Sequence, residues 1–564
     1  MSFVLKVKDR RYSKYDVYDL STNKAVTLPD GFSPEGSKLF NGDIFELGGA
    51  GLVSSPVREC RIAGVLILEG NKAYGKSGTK ALYKCVPNDT HLPALIVPYK
   101  IKRIGFSKHI RNKYVIVRVV RWVDKHPEGV LVEALGDVND SKSFYEYGVR
   151  CAGLDIPFGP FTLLIKQQLT NYVEQDIIEN MKKSYLLENR EDWKVYSIDP
   201  RETTDIDDGF SIVHLHDNTS LISVYIANVP LWIDKLDAWE HVSDRVATIY
   251  LPHRKHSMLP SLLSNNLCSL IEGRVRPTLV LDLTFNAEGD LISHEFKIAT
   301  IRPTKNYAYE DPELQHNVSY QEAYRLIVKL NNKTKRLEYI DGAHGFVEYL
   351  MVHMNCLCAT HLKSKQTGIF RAYLCKTSEM LTDVPADVRR FVSQWRSAGG
   401  SYVVETGETR HDAIGVDAYV HITSPIRRIV DLINSAALQR CLSLTTFRSS
   451  SYSSFHTLWT ATNRLDYIND STRRIRRLQH DCELLSVSMR DSLFFDKTYD
   501  GIVLDCEPSN DLFRYRVYLY GIRNVQRIYQ KDALEIHSQH RFRLYKFQDE
   551  SLMREKIRCA LYVD

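Results

Sequence analysis

The chain lacks the features that mark several whole classes of protein. No window approaches the roughly 18 consecutive apolar residues of a membrane-spanning helix, so no membrane association is expected. Nothing at the start resembles a secretory leader. The first apolar run is broken at Lys6 and Lys8, and Asp9, Asp16 and Asp19 weigh against a mitochondrial presequence. A soluble, intracellular protein is expected, cytoplasmic with the nucleus as the alternative. The 11 cysteines are odd in number and scattered. Cys356 and Cys358, the one close pair, sit in a helix-like run with a single residue between them, which suits buried thiols rather than a zinc knuckle or a disulfide framework. Charge of one sign is also missing: 74 Lys plus Arg against 69 Asp plus Glu leave +5. Nucleic-acid binding therefore has to be argued from where the charges fall. There is no internal repeat and no low-complexity tract.

What is present is ordinary globular composition, 44% apolar and 25% charged. At roughly 100–200 residues per domain, about three to five domains are expected. Residues 1 to about 165 are rich in short strand-like runs, such as 65–68, 94–97 and 114–117, separated by turn signals at 41–43 and 127–129. This pattern predicts two small β-barrels, over 1–90 and 91–175. A basic stretch crosses the second: Lys100, Lys102, Arg103, Lys108, Arg111, Lys113, Arg118, Arg121 and Lys125, followed in part by Trp122. Basic residues interleaved with aromatics suit single-stranded nucleic acid, and a solvated charged face explains them as well. Residues 185–490 mix strands with helices, the latter predicted at 344–364, at 427–441 just after Pro425, and at 456–489. The arginines 473, 474, 476 and 477 on the last of these read as a solvated face. Residues 495–564 return to basic, aromatic strands and predict a third small barrel.

The chemistry is concentrated in residues 197–210. Asp199, Asp205, Asp207 and Asp208 fall within ten positions. Adjacent carboxylates repel, which raises one pKa unless a cation lies between them. Mg²⁺ takes a few carboxylates, waters and substrate phosphate, and two such ions about 3.5–4 Å apart serve phosphodiester hydrolysis. An EF-hand loop needs glycine at its sixth position, and Gly209 is fifth from Asp205. An aspartate-rich turn without a metal is the structural alternative. The second element is residues 421–428, followed by Asp431 and Asn434. Pro425 suits the first turn of a helix capped by Thr423 or Ser424, which would put Arg427 at its positive end, aimed at phosphate. A surface arginine on a capped helix is the plainer reading.

Taken together, these segments resemble the RNase II/RNase R superfamily of 3′-to-5′ exoribonucleases, in its eukaryotic-like form without the N-terminal endonuclease domain. The resemblance rests on the spacing of the four aspartates and on Thr423-Ser424-Pro425-Ile426-Arg427-Arg428. It is supported by Tyr250-Leu251-Pro252, Met258-Leu259-Pro260, 267–270, and the run from Arg121-Trp122 through 127–129 to 135–137. It implies a multidomain α+β protein: an RNB-type catalytic domain over 185–490 flanked by OB-fold barrels, the last at 495–564. It implies processive hydrolysis of single-stranded RNA to nucleoside 5′-monophosphates at a Mg²⁺ centre, with Mn²⁺ as an alternative, on Asp199, Asp205, Asp207 and Asp208. Asp207 would be the least replaceable carboxylate. Arg427 would stabilise charge on the scissile phosphate, and Tyr309 and Glu348 would hold the terminal nucleotide. Arg118, Arg121, Trp122, Tyr250 and Arg428 are the remaining RNA-binding candidates. A monomer is expected, with an RNA-decay complex as a conceivable partner. Two rivals stand beside this reading: an inactive RNA-binding member of the same fold, and a DNA-directed 3′ exonuclease. The chain departs from the family pattern at Gly209, Asn228, Tyr349 and Ser435.

Overall fold

The computed structural model describes residues 1–563, except 30, 48–50, 102–109, 171–172, 216–217, 375–387, 390, 393–398, 448, 510–511 and 550–553. It divides into two compact units. One comprises Met1–Asp155, Leu251–His253 and Arg477–Asp564; the other comprises Ile156–Tyr250 and Arg254–Arg476.

The first unit begins with a four-stranded sheet, β1 (Ser2–Val7), β2 (Tyr15–Asp19), β3 (Ile44–Glu46) and β4 (Gly51–Ser54), in the order β2-β1-β3-β4. Phe3, Leu5 and Val7 of β1 point inward at the two-residue period of a half-buried strand. The next sheet contains β5 (Ile62–Leu66), β6 (Lys76–Ser77), β7 (Lys80–Pro87), β8 (Leu95–Tyr99), β9 (Lys113–Arg121) and β10 (Glu128–Asp137). Its order is β5-β9-β10-β8-β7-β6, and a β5–β7 pairing closes five of the strands into a ring. The sheets therefore part before Ile62. A boundary at residue 90 would separate β7 from its partner β8. The two sheets share one apolar core, in which Leu5, Phe40 and Phe45 join Leu66, Val97, Val117 and Trp122. Beyond β10 the chain is helical rather than barrel. Helix α1 (Ser141–Cys151) is capped by Asp140, whose carboxylate accepts from the Ser143 N–H at 2.9 Å.

In the second unit, α2 (Gly159–Leu169) and α3 (Glu174–Tyr185) lead into a closed five-stranded barrel. Its strands are β11 (Glu188–Asp199), β12 (Asp208–His214), β13 (Ser220–Ala227), β16 (Arg276–Phe285) and β17 (Leu291–Ala308), with α4 (Val229–Lys235) and the short strands β14 (Ile249–Leu251) and β15 (Arg254–His256) between β13 and β16. Arg190 and Asp282 are buried as a two-bond ion pair at 2.8 and 2.7 Å, with the Ser223 hydroxyl donating to Asp282 at 2.6 Å. Helices α5 (Val318–Thr334) and α6 (Gly342–Ser364), strands β18 (Ile369–Ala372) and β19 (Ser401–Val404), and α7 (Ile429–Cys441) complete the region. The helix expected over 456–489 is two helices, α8 (Ser449–Thr460) and α9 (Thr462–Arg490). The last sheet belongs to the first unit: β20 (Thr498–Ser509), β21 (Leu512–Leu519), β22 (Asn524–Gln530), β23 (Gln539–Asp549) and β24 (Arg554–Leu561), in the order β22-β21-β20-β23-β24 around Val503, Tyr515, Val517, Phe542 and Leu544.

Candidate active site

The four aspartates collect at one end of the barrel because one strand ends and the next begins there. Asp199 is the last residue of β11, where it pairs with Ala308 of β17. Asp208 opens β12, opposite Ile226 of β13. Asp205 and Asp207 lie on the connecting loop. Ser269 fixes that loop by accepting from Ile206 N–H at 2.9 Å and donating to the Thr204 carbonyl at 3.1 Å. The Leu270 N–H donates to the Ile206 carbonyl at 3.0 Å, and the Ala227 N–H to the Asp207 carbonyl at 2.8 Å. Gly209 is required by packing, since a Cβ there would lie 2.9 Å from the Tyr196 carbonyl oxygen.

Residues 424–428 meet these carboxylates. The expected helix does not begin at Pro425. Residues 425–427 form a turn, and α7 starts at Ile429 with Arg428 as its cap. Two bonds pull the segment out of helical geometry: Ser424 N–H donates to the buried Asp431 carboxylate at 2.8 Å, and Ile426 N–H donates to Asp207 Oδ1 at 2.9 Å. Arg427 thus stands on the turn before the helix. Its Nε lies 3.2 Å from Asp207 Oδ2, and its Nη2 donates to Ser424 Oγ at 2.9 Å. Its carbonyl accepts from Thr248 N–H at 2.9 Å.

Both oxygens of Asp207 are therefore engaged. Asp205 is engaged as well: Lys255 Nζ, from β15, lies 2.6 Å from its Oδ1 and 2.6 Å from Thr204 Oγ1, and the Tyr250 hydroxyl is 3.5 Å from its Oδ2. The remaining two carboxylates differ. Asp199 Oδ2 is buried with no hydrogen-bond partner among the described residues. Burial pushes the Asp199 carboxyl up to about 6, helped by the Asp205 charge, and pushes Asp207 up to about 7. Asp208 rises well above the usual carboxylate range, through burial and then the charges of Asp199 and Asp207. Crowded, desolvated carboxylates of this kind are what a cation relieves. Among the described residues, no three acidic, histidine or cysteine side chains converge as a complete metal cage. The donor set instead fits a hard divalent ion held by about two carboxylates, its other positions left to water and phosphate.

Beside the carboxylates, Tyr309 follows β17 directly, and its N–H donates to the Asp199 carbonyl at 3.1 Å. Its ring stacks on His344, with centroids 3.6 Å apart and planes at 12°. Burial, with the charges of Asp208 and Asp199, raises the phenol, and Glu348, one turn beyond His344 on α6, adds to the effect. Lys255 and His344 escaped the sequence reading. His344 was visible in principle, as the residue one helical turn before Glu348. Lys255 was not, because only the folded strand brings it to Asp205.

Other candidates fall elsewhere. Trp122 is buried against Phe40 and Tyr12 in the shared core of the first unit, so it is not a stacking face. Arg121 is held in two bonds of 3.0 Å by Glu128, whereas Arg118 is exposed. Lys102, Arg103 and Lys108 lie outside the described residues. Arg428 is ion-paired with Asp431 at 2.8 Å, which gives it a structural partner. Tyr349, where the family pattern has an acid, is buried and bonds Thr334. Asn228 and Ser435 belong to one buried amide network through Gln439, with bonds of 2.9, 3.1 and 3.2 Å.

The RNB domain family model matches residues 188–317 and 314–444. Ribonuclease R of Chlamydia pneumoniae is 22% identical over 429 residues, 63% of this chain and 61% of that protein. The mouse exosome complex exonuclease RRP44 is 29% identical over 214 residues, 36% of this chain and 21% of its own length. The matched region spans about three-fifths of the first ribonuclease R relatives. Among solved structures, the apo form of Mycoplasma genitalium RNase R superimposes with a TM-score of 0.68 at 15% identity, covering 99% of this chain and 100% of that one. Yeast Ssd1, described as a pseudonuclease, gives a TM-score of 0.58 at 13% identity, over 97% and 81%. Both share the fold.

Proposed function

We propose that this chain, a homologue of ribonuclease R whose residues 188–444 are an RNB domain, is a hydrolytic 3′-to-5′ exoribonuclease acting on single-stranded RNA and releasing nucleoside 5′-monophosphates. The observation that carries the reading is the end of the barrel, where Asp199 and Asp208 lie crowded and desolvated beside an arginine fixed on Asp207. A divalent ion bound there would acidify a water and neutralise phosphate charge. Asp199 and Asp208 would hold it. Asp207 sets the position of Arg427 through Nε and leaves the rest of the guanidinium fork for the scissile phosphate. The Tyr309–His344 stack and Glu348 would bound the space for the terminal nucleotide, with hydrogen bonds to its 2′-hydroxyl as the basis for preferring RNA. In the last sheet, Phe513, Tyr529 and Tyr545 are exposed aromatics of the kind on which bases stack.

A second reading, an RNA-binding protein without hydrolysis, is favoured by one observation: a lysine occupies Asp205. Incubation of 5′-labelled single-stranded RNA with Mg²⁺ or with EDTA, followed by product analysis, separates the two. A DNA strand of the same sequence tests the DNA-directed alternative. Among the described residues no helix is long and apolar enough to cross a membrane.

A further inference from the structure

We propose that Lys255 serves in place of a second divalent cation, so that this centre takes up one metal ion, on Asp199 and Asp208, and Asp205 is a positioning residue rather than a ligand. The inference rests on the metal-centre reading above and adds its stoichiometry.

The four carboxylates divide by the positive charge that already faces them. Asp207 is answered by Arg427 Nε at 3.2 Å and a backbone N–H at 2.9 Å. Asp205 is answered by the Lys255 ammonium at 2.6 Å and, on its other oxygen, by the Tyr250 hydroxyl at 3.5 Å. Lys255 is anchored a second time by Thr204 Oγ1 at 2.6 Å, on the loop that carries Asp205. The Asp205 side chain is 5% exposed and that of Lys255 24%, so this pair is poorly screened by water. Among the described residues, no lysine or arginine is ion-paired with Asp199 or Asp208, which feel the Arg427 charge only through space, and one Asp199 oxygen is buried without a hydrogen-bond partner.

The ions of a two-metal centre sit about 3.5–4 Å apart and share a cluster of carboxylates. A second ion that used Asp205 would have to displace an ammonium already within bonding distance of that carboxylate. Lysine is a compact point charge with three donors. It can supply positive charge at this position but cannot coordinate and acidify a water as a metal does. The arrangement assigns metal chemistry to the Asp199–Asp208 side and fixed charge to the Asp205 side.

The test counts Mn²⁺ on the RNA-free, full-length protein by electron paramagnetic resonance and calorimetry. Wild type is expected to bind one Mn²⁺. Lys255→Met, with Lys255→Gln as the second variant should the first fail to fold, is expected to bind two, because Asp205 is released. Lys255→Arg is expected to keep one. Asp205→Asn should leave the wild-type count at one and return the Lys255→Met protein from two to one, whereas Asp208→Asn should abolish the wild-type site. Two Mn²⁺ on wild type, an unchanged count of one in both Lys255→Met and Lys255→Gln, or loss of the wild-type site in Asp205→Asn would overturn the inference while leaving a metal centre in place. No Mn²⁺ on wild type would overturn the metal-centre reading itself. Circular dichroism confirms that each counted variant is folded.

Discussion

At the residue scale, Arg427 separates a structural from a chemical account most sharply. Lysine keeps the charge but not the planar fork that can hold Asp207 and a phosphate together. Arg427→Lys should lower the single-turnover rate at saturating enzyme by about 10²–10³ with little change in melting temperature, the loss typical of one preorganised donor. Arg428→Lys should cost much less rate, because Arg428 is tied to Asp431. Equal losses would make Arg427 structural. The raised carboxyls predict a pH dependence with a definite sign. Asp199 is held near 6 in the folded chain against 3.8 for the free side chain, so the folded state binds the extra proton and stability falls as pH rises between those values. A bound cation favours the ionised form and opposes that fall. The gain in melting temperature on adding Mg²⁺ should therefore be small near pH 4 and increase toward pH 7, as scanning calorimetry would show. A gain independent of pH would mean that the ion binds away from these carboxylates. The aspartate run and the 423–428 segment stood out in the sequence by residue type and spacing, and the fold brings Arg427 Nε to 3.2 Å from Asp207. Lys255 was not legible, since nothing in a strand's pattern says which acid it will meet.

At the element scale, the site depends on how closely β12 approaches β11. Gly209 sits where a methyl group would press on the Tyr196 carbonyl oxygen at 2.9 Å. Gly209→Ala should cost about 1–3 kcal/mol of stability, as forced overpacking does, and should disturb Asp208 next door. Denaturant unfolding checks the first effect; a neutral result would show that the strands can part. The helical periodicity of 427–441 and 456–489 is plain in the sequence, whereas their ends are set by contacts the sequence does not show. Pro425 is a sound helix-start signal, yet α7 begins four residues later because two backbone N–H groups are drawn to Asp207 and Asp431, one of them across the fold. Helix 456–489 read as continuous because nothing local at Ala461 breaks the apolar period. The departures at Asn228 and Ser435 looked independent in sequence. In the structure both meet Gln439, in a neutral buried network that satisfies its own hydrogen bonds.

At the scale of the whole molecule, strand-rich ends and a mixed centre were readable from turn signals and strand runs. The division between the first two sheets was not, because they share a core and Trp122 belongs to it. An aromatic beside arginines looks the same in sequence whether it faces water or the interior. Two residues of the basic stretch are paired internally, Lys113 with Asp137 and Arg121 with Glu128. Phosphate contacts that remain should still appear as salt dependence, with a slope of about −0.7 per contact on a single strand. Single-stranded RNA affinity measured from low to physiological salt should fall with a slope of several such contacts, and a flat plot would remove the electrostatic part of the account.

Cleavage of RNA from its 3′ end by the carboxylates at the end of the barrel, with the help of a divalent ion, is the proposal on which the others depend. The most direct test follows a 5′-labelled RNA with a 3′ single-stranded tail over time, with wild type and Asp208→Asn, in Mg²⁺ and in EDTA. Wild type is expected to shorten the strand stepwise from the 3′ end and release nucleoside 5′-monophosphates in Mg²⁺ only, while Asp208→Asn still binds it. RNA that is bound by wild type in Mg²⁺ but never shortened would contradict that proposal and leave a protein that uses this fold to hold RNA.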